Sequence, residues 1–390
     1  MFKTVHGVVK PGAFPQDTGV KTVVVHDAPG WSALEPHWNA LLEKAAPFTV
    51  FQTPEWIYPW WRRFGVLGGG EPRAVATYES DALVGLLPFY LSGDRTEAQD
   101  PPRGRLRWMG TTRVCSDHLD GLLDPAHRDA VHAEWRTAFT QLAVECDAVD
   151  LADTAEDAEF LKCGAEFPEG FSEESRPADV CPYIELPDDF ETYRTSRVKK
   201  LKKEIGVKRR RLAKLGAVEL STIERPEQVA DGFEAFVELH QRRRESMDEV
   251  GSFSDPDYLA FHREAAPALA AKGRLLLNLL LLDGRPVAAQ HGFVSCGRVQ
   301  HYLPGHDPGL HKQSVGMVLT SYCIEQAIER SYREIDLLRG DEPYKSLWAD
   351  ASRGLVRWRG ERRYSPAWVA RKRENAVRSA KDVVKTLLRR

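Results

Sequence analysis

Ten residues of the chain, 336–345, crowd together Asp336, Arg339, Asp341, Glu342, Tyr344 and Lys345. A carboxylate there can take a proton, a phenol can give one, and a lysine can hold a developing negative oxygen. A guanidinium adds a two-pronged grip on an acidic substrate group. Together these types suit proton-coupled group transfer. The residues just ahead, 335–338, read as a short apolar strand, so the charges fall where a strand's C-terminal end opens into a turn. A solvated loop would use the same residues, and Asp336 with Arg339 could equally be an ion pair tethering it.

A second candidate lies upstream. Residues 299–303 read as a strand that runs into Pro304-Gly-His-Asp-Pro-Gly-Leu-His-Lys-Gln-Ser-Val-Gly316. A helix then opens near Ser314, with Val318, Leu319, Tyr322, Ile324, Ala327 and Ile328 at helical spacing. A glycine-bearing loop with Lys312, Gln313 and Ser314 at a helix start suits an anion, because free amides and the helix dipole both favour negative charge. Gly316 would let that anion approach the backbone. Ser314 as a plain N-cap explains the same residue choice. His291, beside Gln290 on an apolar strand, is either a hydrogen-bonded core histidine or, if that strand lines a cleft, a base. His301 and His306 flank the same region. Ser116, Asp117, His118 and Asp120 form a polar patch, but no hydrolase triad, since triad members come from separate segments.

These candidates need a scaffold. The chain's 390 residues suffice for two domains, and 42% hydrophobic with 28% charged residues is globular. A net charge of −3 leaves attraction to nucleic acid or membrane to local patches. The first residues lack the apolar core of a signal peptide, and the longest apolar run, 275–282, is too short to span a bilayer. Six single cysteines without a CxxC pair argue against zinc and against a disulfide framework, and fit a reducing cytoplasm.

In the first half, helices are expected near residues 31–45 and 54–64, strands at 74–78 and 83–91, a helix at 127–145 and a strand at 148–151. The second half repeats the layout, with helices 229–245 and 255–271, strands 274–282 and 286–295, and Asp283-Gly284 as a hairpin turn. This predicts α/β architecture in tandem: two copies of one fold, each a mixed, mostly antiparallel sheet flanked by helices. The expected divisions are 1–180, 181–360 and a basic C-terminal helix over 361–390, with a Glu/Ser/Pro-rich connection at 172–186.

Hairpin, strand, glycine-containing loop, helix and strand are the central elements of the GNAT acyltransferase fold. The runs Phe253-Ser-Asp-Pro-Asp-Tyr258, Asp283-Gly-Arg-Pro-Val-Ala-Ala289, Tyr302 with Asp307-Pro308, Ser314-Val-Gly316 and Asp336-Leu-Leu-Arg-Gly-Asp-Glu-Pro-Tyr-Lys345 make the chain resemble the CelD-type acetyltransferases. These are GNAT-like proteins associated with cellulose biosynthesis and related to the FemAB aminoacyl transferases. The likeness extends to Phe51-Gln-Thr-Pro-Glu-Trp56, Leu83-Val-Gly-Leu-Leu-Pro88 and Pro182-Tyr-Ile-Glu-Leu-Pro187, and so covers most of residues 40–350.

It implies transfer of an acyl group, from acyl-CoA (acetyl-CoA) and without a metal, to an amine or hydroxyl of a small-molecule, sugar or envelope or exopolysaccharide precursor. The donor's pyrophosphate would lie on Lys312, Gln313, Ser314, Val315, Gly316 and Met317, although Ser314 and Val315 replace the usual glycine-rich centre. Asp336, Glu342 or His291 would serve as base, Tyr344 as acid and Lys345 as oxyanion stabiliser. Arg339, Asp341, Tyr302, Asp117 and His118 would meet the acceptor. FemAB relatives use aminoacyl-tRNA, the alternative donor; a non-catalytic GNAT-like scaffold is the third reading.

Two basic segments remain. Residues 197–214 carry ten Lys/Arg against Glu204, with an apolar stripe of Val198, Leu201, Ile205, Leu212 and Leu215. This amphipathic helix would meet tRNA or another anionic ligand, or simply present a solvated face. The C-terminal stretch 362–390 sets Val377, Ala380, Val383, Val384, Leu387 and Leu388 on one side. It would either touch the inner membrane face peripherally or pack on the domain.

Overall fold

The computed structural model describes residues 19–45, 47–93, 104–196, 199–349 and 351–388. The first half runs β1 (Lys21–Val25), α1 (Ala28–Ala33), α2 (Glu35–Leu42), α3 (Pro54–Trp60), β2 (Glu71–Pro72), β3 (Ala74–Glu79), β4 (Ala82–Leu87), β5 (Phe89–Ser92), β6 (Arg105–Trp108), β7 (Leu122–Leu123), α4 (Arg128–Glu145), β8 (Ala148–Ala155), α5 (Glu159–Lys162) and β9 (Phe171–Glu185). The second half follows with α6 (Phe190–Ser196), α7 (Lys199–Ala213), β10 (Val218–Ile223), α8 (Pro226–Glu245), α9 (Pro256–Ala271), β11 (Leu275–Leu282), β12 (Arg285–Ser295), β13 (Arg298–His306), α10 (Val315–Glu329), β14 (Glu334–Asp336), α11 (Lys345–Trp348), β15 (Ala351–Arg362) and α12 (Pro366–Leu388).

Local signals set most of these elements. Asp255 caps α9 by accepting from the amides of Asp257 and Tyr258, and Pro54 opens α3 where no amide is needed. Asp283 and Gly284 both take positive φ, +49° and +77°, the primed turn that matches the twist of a two-strand hairpin.

One sheet of eleven strands, β10-β11-β12-β13-β14-β9-β15-β8-β6-β5-β2, crosses both halves, and a second holds β1-β3-β4-β7. Among the described residues only the β13–β14 and β6–β8 strand pairs are parallel; the other strand pairs are antiparallel. In each half a helix joins that parallel pair, α10 in the second and α4 in the first. The mixed α/β tandem layout is therefore present.

Two details differ from expectation. Residues 83–91 form two strands rather than one, because Pro88 has no amide to donate and the chain changes sheet there, β4 joining one and β5 the other. The stretch expected as a connection is instead β9, paired with β15 from Tyr183↔Ala351 to Phe171↔Arg362. Its charged residues are tolerated because they find cations: Glu174 holds Arg359 and Arg371. β15, at the end of the span expected for the second half, lies between β9 and β8.

Of three buried apolar clusters among the described residues, the largest spans both halves. Trp56 of α3 is fully buried, with its ring 4.8 Å from Phe261, 5.3 Å from Phe293 and 5.6 Å from Tyr302. Each such edge-to-face pair adds about 0.5–1.5 kcal/mol beyond area burial. This packing fixes the first half against β12 and β13, so both halves wall the cleft described next.

Candidate active site

β13 and β14 pair only over Arg298–Gln300 and Glu334–Asp336, and β13 then runs on to His306 with β12 on one side and no strand on the other. The gap this leaves becomes a cleft of about 1040 Å3. On its other side β13 carries a bulge: His291 faces Leu303 and Gly292 faces His301, leaving Tyr302 as the extra residue. His301, Tyr302 and Leu303 consequently all line the cleft. Tyr302 is anchored rather than free. Its hydroxyl donates to the Val114 carbonyl and lies 3.2 Å from the Tyr258 hydroxyl.

The 336–345 run forms the facing wall through a tight local network. Asp336 Oδ1 accepts from the Leu338 amide at 2.8 Å, which holds Leu338 at φ +56°. Lys345 Nζ donates to the Leu338 carbonyl at 3.0 Å and to the Arg339 carbonyl, and pairs with Glu342 Oε2 at 3.0 Å. Lys345 thus clamps the turn through two carbonyls and a carboxylate, and these contacts compete with the oxyanion role expected of it.

Arg339 is likewise consumed inside the protein. Its guanidinium pairs with Asp117, donates to the Ser116 carbonyl at 2.8 Å and meets Asp153 Oδ1 at 2.8 Å, while its amide donates to Asp117 Oδ2 at 2.8 Å. The expected substrate clamp is a staple between the halves, and Asp117, 1% exposed, is its buried anchor.

The structure separates the remaining candidates. Glu342 and Tyr344 line the cleft beside Lys345; Asp341 is exposed and outside the wall. Burial, then the Glu342 charge, raise the Tyr344 phenol's pKa, so it stays protonated at neutral pH. Asp336 is buried behind the wall, its Oδ2 2.9 Å from His118 Nε2. Burial disfavours the His118 imidazolium, but the Asp336 hydrogen bond and charge, with Asp117, outweigh it and raise the pKa. Cys181 adds a third possible ligand atom to His118 and Asp336, all within 4.8 Å. The His118–Asp336 contact and the Arg353 guanidinium 3.5 Å from Asp336 account for that cluster as a polar network.

His291 does not reach the cleft. It is fully buried among Phe236, Phe293 and Phe233, neither ring nitrogen has a partner, and burial pushes its pKa down to about 3. Of the same strand, Ala289 and Gln290 line the cavity instead. His301 does line it, and burial with the Lys345 charge holds its pKa at about 3.

The loop ahead of α10 reaches the same space. Ser314 takes a left-handed conformation (φ +54°) and its side chain caps nothing, contrary to the plain N-cap reading. Gly316 and Met317 line the cleft, and a side chain at Gly316 would meet only His306 Nδ1, at 3.7 Å. Val315 points into the core, Gln313 is half-buried and Lys312 is exposed. The Lys312 carbonyl lies 3.5 Å from Lys208 Nζ of α7. That helix packs on α10 through buried Leu201, Ile205 and Leu212, with Arg209 bonded to Ser321 and Glu325. Lys203, Arg210, Arg211 and Lys214 face outward. Arg197 and Val198 lie outside the described residues.

Two wall residues escaped the sequence reading, Arg243 and Arg244 of α8. The run Arg242-Arg243-Arg244 at a helix end carries no signal beyond favourable dipole placement. The cleft wall holds four carboxylates, each with its own cation: Asp117 with Arg339, Asp255 with Arg113, Glu249 with Arg244 and Glu342 with Lys345.

Residues 199–346 match the acetyltransferase (GNAT) domain family. No curated protein matches the chain. Among solved structures, FemX superposes with TM-score 0.56 at 11% identity, covering 86% of this chain and 96% of its own. The C-terminal domain (DUF2156) of a protein described as a lysylphosphatidylglycerol synthetase from Agrobacterium fabrum gives 0.53 at 10%, covering 87% and 94%. L-PGS from Bacillus licheniformis gives 0.51 at 13%, covering 83% and 90%. At these identities the likeness is one of fold.

Proposed function

We propose that this chain, whose residues 199–346 are a GNAT-type acyltransferase domain, moves an acetyl or related acyl group from acyl-CoA to an amine or hydroxyl in the β13–β14 cleft. One observation carries the reading: β13 parts from β14 directly beside the start of α10. An unpaired strand edge offers backbone hydrogen bonds to an extended pantetheine arm. The helix's first amides and its dipole favour the donor's phosphates.

In this reading Glu342 takes the proton from the acceptor's nucleophile as the new C–N or C–O bond forms. Tyr344 gives its proton to the departing thiolate as the C–S bond breaks. Lys345 holds the Leu338–Arg339 turn and orients Glu342. The CelD-like sequence runs favour a sugar or envelope-polymer precursor as acceptor. Among the described residues no helix is long and apolar enough to cross a membrane. Arg371 anchors the start of α12 on Glu361 and Glu174, which supports packing on the domain. The apolar stripe beyond Val377 lies outside the described side chains, and peripheral membrane contact there stays a proposal.

A second donor has its own support. The Lys208–Lys312 contact sets the outward basic face of α7 beside the expected phosphate loop, and the fold resembles FemX. Aminoacyl-tRNA would suit that surface. Calorimetric titration with acetyl-CoA and with tRNA, each at low and high salt, discriminates the two. Saturable acetyl-CoA binding with none of tRNA supports the first. Tight, steeply salt-dependent tRNA binding without acetyl-CoA binding overturns it in favour of the second.

A further inference from the structure

The acyl-transfer reading leaves one cleft cation without a task. The four wall carboxylates are each matched to a cation, yet the wall holds five: Arg113, Arg243, Arg244, Arg339 and Lys345. Arg243 is the remainder. Among the described residues no side chain or carbonyl accepts from its guanidinium, although it is half-buried. It faces His306 at the α10 end of the cleft and Tyr344 on the opposite wall, close enough to act on the charge of both. Burial and the neighbouring Arg244 lower its pKa and outweigh the more distant charges of Glu249 and Glu342, whereas every other described arginine with a resolved shift is raised on balance by a carboxylate bonded to it. A half-buried cation that lacks a partner stands at a cost that an anionic ligand would remove.

We infer that Arg243 is the anion-recognition residue of this cleft, taking a carboxylate or phosphate group carried by one of the two substrates. The inference rests on the reading of the cleft as a substrate site. Its fork can grip either anion through two parallel hydrogen bonds, which a lysine cannot reproduce. The other wall cations are each engaged by a carboxylate, which leaves Arg243 the cleft cation with donors to offer an incoming anion.

Calorimetric titration of pyrophosphate and of succinate into the full chain at low salt tests this, using wild type, Arg243→Gln, Arg243→Lys and Arg242→Gln. At least one anion is expected to bind wild type and Arg242→Gln alike, with affinity tenfold or more weaker in Arg243→Gln and intermediate in Arg243→Lys. Pyrophosphate as the Arg243-dependent ligand assigns the group to the donor, and succinate assigns a carboxylate to the acceptor. Should wild type and Arg243→Gln be indistinguishable for both anions, including no measurable binding by either, the inference fails. Acetyl-CoA is titrated separately. Arg243-dependent anion binding without acetyl-CoA binding sinks the acyl-CoA reading and leaves this one standing.

Discussion

The two halves build the same parallel strand pair around a helix and then treat the gap between the strands in opposite ways. In the second half β13 and β14 separate after Gln300 and Asp336, and no described segment fills the space. In the first, β6 and β8 pair over Arg105–Leu106 and Ala148–Val149, and then the chain itself returns to close the opening. Leu119 bridges β8 at Thr154, and the Trp108 indole donates to the Thr154 hydroxyl at 2.9 Å. What remains is a polar hollow of about 320 Å3 under α12, crossed by ion pairs such as Arg357–Asp150 and Arg371–Glu361. One scaffold thus carries the proposed reaction cleft where its gap stays open and an ion-paired hollow where it is plugged. Arg339 lines both spaces, and through Asp117 and Asp153 it ties the open half to the closed one.

The comparison can be broken at each of these points. The largest effect belongs to the plug: Trp108→Ala, at a fully buried position, is expected to cost about 4 kcal/mol in chemical denaturation, with acetyl-CoA affinity per folded molecule unchanged. An altered affinity would mean that the plugged gap itself takes part in donor binding. Arg339→Ala leaves Asp117 buried without its cation and should cost about 3 kcal/mol. Because it loosens the 336–345 turn, it should also lower donor affinity. Tyr344→Phe, on a side chain that is 47% exposed, should leave stability within about 0.5 kcal/mol. It should reduce kcat for acyl transfer about a hundredfold. Unchanged turnover would remove Tyr344 as the acid.

The smallest effect concerns pH. The folded-state pKa of His118 is raised, so its pairing with Asp336 contributes stability that is fully present below the unfolded value of about 6.5 and is lost as pH rises through the folded value. The stability difference between wild type and His118→Gln should therefore be largest in mildly acidic buffer and shrink as pH rises. A difference that grows with pH would show that the pairing does not titrate this way.

Sequence and structure agree where signals are local. Asp283-Gly284, the capping Asp255, and the helical spacing from Val318 to Ile328 each fix an element within a few residues of its neighbours. They disagree where the decisive contact is distant. β9 looks like a linker because its strand character comes from β15, far along the chain, and its charges find cations only in the folded state. That the 336–345 run follows a short strand was legible, and it lines the cleft, but its internal contacts were not. Lys345 and Arg339 are spent on carbonyls and carboxylates brought in by the turn and by the other half. Arg243 stayed invisible because a helix-end arginine differs from its neighbours only once folding has paired the rest.

The central claim is that the open gap between β13 and β14, and not its plugged counterpart, receives the acyl donor. A crystal structure of the full chain with CoA tests it most directly. The account predicts a pantetheine chain along β13 beyond Gln300, with its phosphates at Gly316 and Met317. CoA bound in the hollow under α12, or an empty β13–β14 cleft at saturating ligand, would contradict it.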